Sequence, residues 1–489
     1  MSSRPFAREL RATLGLAGPL ILAQLAQIAT SFVDTLMIGR WLGPEALAAG
    51  VLGSTLFFTS MVVGIGFVIA VGPTVAQAFG AVEVGDGGEA DIGRAARQGL
   101  WLATLLSGPL MVLLWNAEAL LLLAGQPEST SALAGSYLRA ILWGTLPNLW
   151  FAALRGLLEG LGRPRVIMLI TLGAVVLNIV GNYALMIGAW GFPALGLAGC
   201  GWSSTLVFWA MFAALGLYVH RGALTRRYGV FAQIRRPDPT MLRDLVRIGW
   251  PIGVTLGIEA GLFMLSTLLV GRMGTDSAAQ TALAAHQIAL NAASISFMVP
   301  LGLGLAATAR VGQAIGRGDP RGAERAGWAA TVLGAAFMFT AALLFWLRPE
   351  WVVAAYVSLA DPEMADVIAQ AVGLLGIAAV FQLVDGIQVT TNGALRGLKD
   401  TRGPMWIALA TYWGIGLTLA AALGFGWGDI EAQGAVGVWW GLTAGLAAAA
   451  TALAARFALR VRRMAGAPVG EREPVQVLAL DEEDDMDSP

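Results

Sequence analysis

Apolar runs long enough to cross a bilayer divide this chain, and they constrain its fold more than any other feature. A helix needs about 20 apolar residues to span the hydrocarbon core. Twelve such runs can be marked, at residues 12–38, 46–79, 97–123, 131–158, 165–189, 195–219, 246–271, 280–309, 326–347, 364–393, 404–426 and 434–458. They do not alternate apolar and polar residues as the strands of a membrane barrel do. The sequence therefore predicts an all-α polytopic membrane protein with twelve transmembrane helices.

Composition excludes several classes of function. Charged residues make up 13% of the chain, whereas soluble proteins carry about 25%. The single lysine, Lys399, follows Leu398, so the chain has no Walker A sequence ending in Gly-Lys. One cysteine and two histidines cannot form an internal disulfide or a His/Cys metal cluster. We therefore expect neither an enzyme nor a pump with its own ATPase, and no cofactor beyond a coupling ion.

Basic residues orient the predicted helices. If the N-terminus is cytoplasmic, 27 of the 31 basic residues fall in cytoplasmic segments, and the exceptions are Arg40, Arg139, Arg272 and Arg348. Positive charge is enriched in cytoplasmic loops, and the bias sets orientation. The pattern predicts a multi-pass plasma membrane protein with both termini in the cytoplasm. It also supports an even number of spans, because one missed helix would scramble the alternation.

The second half of the chain repeats the first. Four matches occur in order at offsets of 232 to 241 residues: Pro19 and Gly39-Arg40 with Pro251 and Gly271-Arg272, residues 75–80 with 311–316, residues 153–157 with 394–398, and Gly196, Gly199 and Trp202 with Gly434, Gly437 and Trp440. Six spans per half enter the membrane in the same direction, which predicts two lobes related by a pseudo-two-fold axis along the membrane normal. Such parallel repeats are typical of secondary transporters that bind substrate between their halves.

The repeat also sets the expected boundaries. We expect a cytoplasmic N-terminus at residues 1–11, an N-lobe at 12–219 and a cytoplasmic Arg-rich linker at 220–245. A C-lobe at 246–458 and an acidic, disordered cytoplasmic tail at 459–489 follow. Pro19 and Pro251 occupy matched positions, so they are candidate hinges as well as ordinary kinks.

Three acidic residues within the predicted spans stand out, namely Asp34, Glu259 and Asp385, and the basic residues in the same ranges all lie within eight residues of a span end. An ionisable group there costs at least about 2.5 kcal/mol, so each requires an explanation. At 1.5 Å per residue, Glu259 lies about 18 Å past Arg247 and Asp385 about 16 Å before Arg396. These two share a depth near the midplane, whereas Asp34 lies towards the outer face. All three acids are candidate sites for binding a cation or proton. The alternative is a structural role, in which each acid only forms a hydrogen bond that holds two helices together.

Polar residues accompany these acids. Asn178 and Asn182 share one face of the fifth span at a depth that lets them approach Asp34. His286 lies in an Ala-Ala-His-Gln sequence with Asn291 one turn later, and it reads either as a packing histidine or as an accessory site residue. Acids without a buried basic partner suit a cationic substrate that competes with a proton or Na⁺ for the same charge. That competition predicts antiport by reciprocal linkage.

Several separated motifs resemble the multidrug and toxic compound extrusion (MATE) family, in its NorM-type branch. They include Pro251-Ile-Gly before Glu259, Val311-Gly-Gln-Ala-Ile-Gly316, and Asp385 followed by Gly393-Ala-Leu-Arg-Gly-Leu-Lys-Asp-Thr-Arg402, with Phe32-Val-Asp34-Thr and Asn178 and Asn182 in the first half. The resemblance covers roughly residues 10 to 460. It implies two lobes around a V-shaped cavity and export of cationic, often aromatic, drugs in exchange for Na⁺ or H⁺.

Site residues follow from that resemblance position by position. Glu259 and Asp385 match a C-lobe cation site that takes Na⁺ or a proton, and Asp34, Asn178 and Asn182 match an N-lobe polar site. Accessory candidates are His286, Gln287, Asn291 and Phe381. Phe381 stands where many NorM-type members have a tyrosine, so one hydroxyl ligand for Na⁺ is missing. The expected partners are small-molecule drugs and membrane lipids, without nucleic acid, for a monomeric protein.

Two alternatives remain. A lipid-linked oligosaccharide flippase of the same superfamily carries a pyrophosphate, and its cavity is expected to contain Arg or Lys, which this chain keeps towards the ends of its predicted spans. A channel, sensor or scaffold has no need for a two-lobe repeat with acids at unmatched positions.

Overall fold

The computed structural model describes residues 3–222, 227–232, 234–274, 276–427 and 431–466, and the described residues are helical with short connections. The helices of the first half are α1 Ser3–Val68, α2 Val71–Glu83, α3 Glu89–Trp115, α4 Ala117–Leu123, α5 Glu128–Ile141, α6 Thr145–Gly160, α7 Pro164–Ile187 and α8 Leu197–Arg221. Those of the second half are α9 Pro239–Val270, α10 Asp276–Gly316, α11 Pro320–Leu347, α12 Pro349–Val353, α13 Ala365–Gly397, α14 Arg402–Ala408, α15 Thr418–Phe425 and α16 Gly434–Gly466. A π-helical segment, Leu409–Leu417, joins α14 to α15.

These helices make the twelve predicted crossings. Ten helical segments of the described chain are long and apolar enough to span a membrane, and the first runs from Pro5 to Glu83. That segment is two crossings, because Gly43 (φ 84°) breaks it just before Pro44. A positive φ is easy only for glycine, and proline cannot donate the hydrogen bond that would continue the helix. A twelfth crossing, α5 and α6, is interrupted by a 3₁₀ turn.

The linker between the halves ends earlier than the expected boundary at residue 245. Helix α9 begins at Pro239, where Asp238 caps it by accepting hydrogen bonds from the amides of Thr240 and Met241. Arg94 of α3 donates to the Asp238 carboxylate and holds the pKa of that carboxyl below its usual value. The Pro237-Asp-Pro239 break is therefore a helix start that is tied to the N-lobe. Residues 467–489 of the acidic tail lie outside the described residues.

The sequence repeat is also a repeat in space. Gly199 of α8 lies so close to α7 that an added Cβ would be 2.3 Å from the carbonyl oxygen of Leu185. Its match Gly437 of α16 meets Leu423 of α15 in the same way, at 2.4 Å. The backbone amides four residues before these glycines donate to the same two carbonyls, at 2.9 and 2.8 Å. The last two helices of each lobe are therefore packed alike, with glycine allowing the contact.

The two lobes meet on the side of the molecule that holds both ends of the described chain, Ser3 and Gly466, called here the termini side. Gln77 of α2 donates to the carbonyl of Gly397 in the C-lobe, and Gln313 of α10 donates to the carbonyl of Gly160 in the N-lobe, each at 2.9 Å. Gly80 and Gly316, the matched glycines next to them, abut each other's helices, so that a Cβ on either would overlap backbone. The contact is thus nearly symmetric about the pseudo-two-fold axis.

Apolar packing shows the same asymmetry between the two sides. A cluster on the termini side joins α2, α3 and α6 of the N-lobe to α9 of the C-lobe. Away from it, Met37 and Leu138 belong to a cluster formed by the N-lobe alone, and Leu262 and Trp439 to one formed by the C-lobe alone. Within the described chain, the hydrogen bonds and ion pairs between lobes all lie on the termini side. The lobes are thus closed on one side and separate on the other.

Candidate functional site

The N-lobe site is a hydrogen-bonded chain of polar groups between α1 and α7. The Asn182 side-chain amide donates to the Asp34 carboxylate at 2.6 Å and to the side-chain Oδ1 of Asn178 at 3.3 Å. Both asparagines are fully buried, while Asp34 is partly accessible. The structure therefore brings together the three residues that the sequence grouped. Asn178 Nδ2 and Asn182 Oδ1 have no partner among the described residues, so this site keeps polar capacity for a further group.

Two neighbours of Asp34 were missed by the sequence argument. Cys200 of α8 lies beside the carboxylate, and Met37 Sδ is 3.8 Å from the Asn182 amide. Neither residue type signals a polar site, because buried cysteine and methionine are ordinary core residues. They are placed here by the contact between α7 and α8, which sequence spacing does not reveal.

The C-lobe site holds two carboxylates on different helices. Glu259 lies on α9 and Asp385 on α13, and the two are within electrostatic range of each other. Asp385 is buried and Glu259 is partly accessible. Neither carboxylate accepts a hydrogen bond from the described residues, in contrast to Asp34. Two carboxylates close together in a poorly solvated site favour binding of a proton or a cation.

Unpartnered polar side-chain atoms lie near these acids. Gln382 and Gln388 lie on α13, three residues before and after Asp385, and both are buried. Tyr412 lies in the π-helical segment and within electrostatic range of Glu259 and Asp385. Gln382 Oε1 and Nε2, Gln388 Oε1 and the Tyr412 hydroxyl have no hydrogen-bond partner among the described residues, although Gln388 lies beside Tyr412. The cluster therefore offers oxygen ligands of the kind that hard cations prefer.

The π-helical segment positions Tyr412. A π turn inserts one residue into a helix and rotates the residues around it, and such turns are frequent at functional sites. Trp413, the next residue, donates from Nε1 to the carbonyl of Ile258, which precedes Glu259. That bond fixes the segment against α9 at the level of the acid. Tyr412 thus supplies a hydroxyl near the carboxylates, where Phe381 lacks one.

One expectation about charge is wrong. Arg396 lies in the last turn of α13 and is buried, and it interacts electrostatically with Glu259. The sequence placed Arg396 in a cytoplasmic segment and left the acids without a basic partner. The helix runs to Gly397, past the predicted end of the span at residue 393, and a long arginine side chain can extend along a helix from its end. The C-lobe site therefore contains two acids and one nearby guanidinium.

The accessory candidates separate into two groups. His286 is fully buried, and its Nδ1 accepts from Trp439 Nε1 at 3.1 Å while Nε2 lies 3.2 Å from the Thr267 hydroxyl. Both ring nitrogens are thus satisfied in a neutral tautomer, as in a packing histidine. Phe381 packs edge-on against Trp439, so it belongs to the same aromatic group. Gln287 and Asn291 are exposed on the other face of α10.

Groups of three or more His, Cys, Asp or Glu that could hold a metal are absent from the described part of the chain. A Na⁺ ion at Glu259 and Asp385 would therefore need amide or hydroxyl oxygens as well.

The candidate hinge residues Pro19 and Pro251 lie inside the helices α1 and α9, and Pro19 is away from the break in α1 at Gly43.

Sequence comparison gives close relatives over nearly the whole chain. The chain is 42% identical over 455 residues to the "Probable multidrug resistance protein NorM" of Mesorhizobium japonicum, covering 93% of this chain and 95% of that protein. It is also 42% identical to the "Multidrug resistance protein NorM" of Burkholderia vietnamiensis, and that match covers 93% of this chain and 95% of that protein. A "Probable multidrug resistance protein NorM" of Synechocystis is 39% identical, and that match covers 94% of this chain and 97% of that protein.

Solved structures share the fold at low sequence identity. The eukaryotic MATE transporter AtDTX14 superposes with a TM-score of 0.81 at 19% identity, covering 94% of this chain and 98% of its own. An outward-facing multidrug resistance MATE family transporter of the MOP superfamily superposes with a TM-score of 0.82 at 17% identity, covering 94% of this chain and 97% of its own. The MatE family model matches residues 19–184 and 251–422, one match in each lobe. The chain therefore belongs to the MATE family, in its NorM-type branch.

Proposed function

We propose that this protein exports organic cations, including drugs, across the bacterial inner membrane in exchange for Na⁺ or H⁺. The observation that carries this proposal is the C-lobe cluster of two carboxylates and unpartnered oxygens in a molecule whose lobes meet on one side only. The names of the NorM relatives as multidrug resistance proteins support the substrate class.

Orientation gives the direction of export. The bias of basic residues supports cytoplasmic termini, so the closed termini side faces the cytoplasm and the separate side faces outward. The described conformation is then the one that releases drug and takes up the coupling ion. In the inward conformation the contacts of Gln77 and Gln313 separate, and bending of α1 and α9 at Pro19 and Pro251 accompanies the change.

Exchange follows from competition for the acids. A proton or Na⁺ that enters from outside neutralises Glu259 or Asp385 and weakens the attraction for a cationic drug. Release of that ion to the cytoplasm restores the charge and the affinity for drug, which is linkage between two ligands. Each charge that moves inward supplies about 2.3 kcal/mol per 100 mV.

The flippase alternative is less well supported. Its pyrophosphate substrate needs a basic cavity, and in the described C-lobe site the guanidinium of Arg396 is accompanied by two carboxylates. A lipid-linked oligosaccharide also has a headgroup far larger than a drug, and the space between the separated lobes would have to hold it.

Ethidium accumulation in pump-deficient bacterial cells tests the proposal. Cells expressing the protein should accumulate less ethidium than cells expressing Asp385→Asn at matched protein levels. The exposed substitution Glu128→Gln, at the start of α5, is the control and should behave as the unmodified protein. Equal accumulation in cells with the unmodified protein, with Asp385→Asn and without either would contradict drug export.

A further inference from the structure

A cavity of about 720 Å³ lies on the termini side, between the lobes. Its wall includes Arg163, Arg165 and Tyr218 from the N-lobe and Arg310 and Gln313 from the C-lobe. The volume lies within the range of about 300 to 1,000 Å³ that is common for small-molecule sites. The acids proposed for coupling are not part of its wall, so this is a separate site.

The cavity is positively charged. Arg310 is paired with Glu9 through two hydrogen bonds of 2.8 Å. Arg163 and Arg165, by contrast, have no ion-pair partner among the described residues. The three arginines of the wall and the paired Glu9 together carry a net charge of +2, and the nearby Glu83 and Glu89 are each paired with an arginine outside the wall, Arg317 and Arg227. Arg163 and Arg165 can therefore form bidentate contacts with a ligand. Guanidinium groups in such a setting are suited to phosphate.

The remaining wall combines hydroxyl groups with apolar surface. Tyr218 and Tyr228 supply hydroxyl groups that can donate, since a tyrosine is protonated at neutral pH, and burial raises the pKa of Tyr228 further. Leu16 of α1, Phe79 of α2 and Val166 of α7 line the apolar part. Leu14, next to this wall on α1, is exposed on a membrane-spanning helix. A ligand with an anionic head and an apolar body therefore matches the wall better than a small free anion alone.

We propose that this cavity binds a phosphate-bearing group, with the headgroup of an anionic membrane lipid as its main source and soluble phosphate as the other. Basic pockets between transmembrane helices on the cytoplasmic side are known to take anionic headgroups. The proposal does not depend on which drug or coupling ion the protein carries.

Occupancy of the cavity is coupled to closure of the lobes. Gln313, which lines the cavity, forms the hydrogen bond to Gly160 that joins the lobes, and the Arg310–Glu9 pair joins them as well. Separation of the lobes would move Arg310 away from Arg163 and Arg165. A ligand that contacts both groups binds the closed arrangement better and shifts the population toward it.

Binding of phosphatidylglycerol and of inorganic phosphate is measured with the purified full-length protein in nanodiscs. The three samples are phosphatidylcholine alone, phosphatidylcholine with inorganic phosphate in solution, and an equal mixture of phosphatidylcholine and phosphatidylglycerol. The test variant is R163Q/R165Q, and the control R321Q/R402Q removes two exposed arginines from the termini side of the C-lobe. Each arginine near an anionic lipid is worth about a fivefold change in affinity, so R163Q/R165Q should weaken phosphatidylglycerol binding about 25-fold. The control should bind as the unmodified protein.

Spin labels at Asp86→Cys and Ala465→Cys report closure, since both positions are exposed and the native Cys200 is buried. Phosphatidylglycerol should shift the distance distribution toward the closed form in the unmodified protein and not in R163Q/R165Q. The same shift with phosphate alone would identify soluble phosphate as the source. Equal binding by R163Q/R165Q and the unmodified protein, or a distance distribution insensitive to both additives, would overturn the proposal.

Discussion

The two lobes follow the same chain path but carry different polar chemistry. At the offset of 232 residues that relates Pro19 to Pro251, the counterpart of Asp34 is Ser266 and the counterpart of Glu259 is Gln27. The repeat is thus kept where helices pack and is lost at the three acids singled out within the predicted spans, Asp34, Glu259 and Asp385. Duplication of the backbone supplied two equivalent lobes, and the acids distinguish them.

Hydrogen bonding sharpens this contrast. Asp34 accepts a bond of 2.6 Å from Asn182, which stabilises its carboxylate as an anion. Glu259 and Asp385 have no such donor among the described residues, and the amide and hydroxyl groups beside them are unpartnered. The Asp34 carboxylate therefore has a hydrogen-bond donor within its lobe, although Asn178 Nδ2 and Asn182 Oδ1 stay unpartnered, whereas the two C-lobe carboxylates have only the nearby guanidinium of Arg396 and can take up a proton or cation. The C-lobe is the better candidate for ion coupling.

The largest expected effect is on coupling, and it is specific to the C-lobe. Asp385→Asn and Glu259→Gln should each abolish uphill export, because one coupled charge supplies about 2.3 kcal/mol at 100 mV, or about a 50-fold drug gradient. The double variant should lose no more than either single variant, since the two acids act as one site. Drug gradients in energised vesicles measure this, and additive partial losses would separate the two acids.

Opposite effects on stability are expected for buried amides in the two lobes. Asn182→Leu should lower the free energy of unfolding by about 2 kcal/mol, because it removes a hydrogen bond to a charged group. Gln382→Met should be neutral or stabilising without coupling ion, because it removes two buried polar atoms that lack partners. Thermal unfolding in detergent without Na⁺ gives both values. Equal destabilisation by the two substitutions would show that the C-lobe amide is satisfied too.

Tyr412→Phe tests the hydroxyl that the sequence argument missed. It should weaken the coupling ion about tenfold, as expected for loss of one interaction with a charged site, while the fold stays intact. The matched control is Tyr183→Phe, which changes an exposed tyrosine of the N-lobe on α7 and should change nothing. The measurement is the ion concentration that gives half-maximal efflux. An unchanged value for Tyr412→Phe would remove Tyr412 from the site.

The smallest effect is expected at His286. Its two ring nitrogens are already bonded to Trp439 and Thr267, so it is a packing residue of the C-lobe. His286→Gln should lower thermal stability but leave efflux per folded molecule, and its pH dependence, unchanged. A shifted pH dependence of efflux in a normally folded His286→Gln variant would show that His286 takes part in ion coupling.

Much of the fold and part of the site could be predicted from the sequence. Helix number followed from apolar length, and the asparagines met Asp34 because spacing along a helix fixes both face and depth. Gln382 and Gln388 carried a signal that went unused, since they flank Asp385 by three residues on the same helix.

Other parts of the site were beyond such reasoning. Tyr412 depends on a π-helical segment whose sequence is plain apolar helix, so its register is set by packing against α9. Arg396 was assigned to a loop because hydropathy marks where apolar residues end, not where the helix ends. The cavity at Arg163 and Arg310 joins lobes that are far apart in the chain.

The central claim is that the C-lobe acids couple drug export to an ion gradient. The most direct test measures drug efflux from proteoliposomes, first with a Na⁺ gradient alone and then with a pH gradient alone. One of the two gradients should drive uphill drug movement in the unmodified protein, and Asp385→Asn should remove that movement entirely. Asp34→Asn should retain part of it, because the amide can still bond to Asn182. Full coupling in Asp385→Asn, together with complete loss in Asp34→Asn, would place ion coupling in the N-lobe and contradict the account.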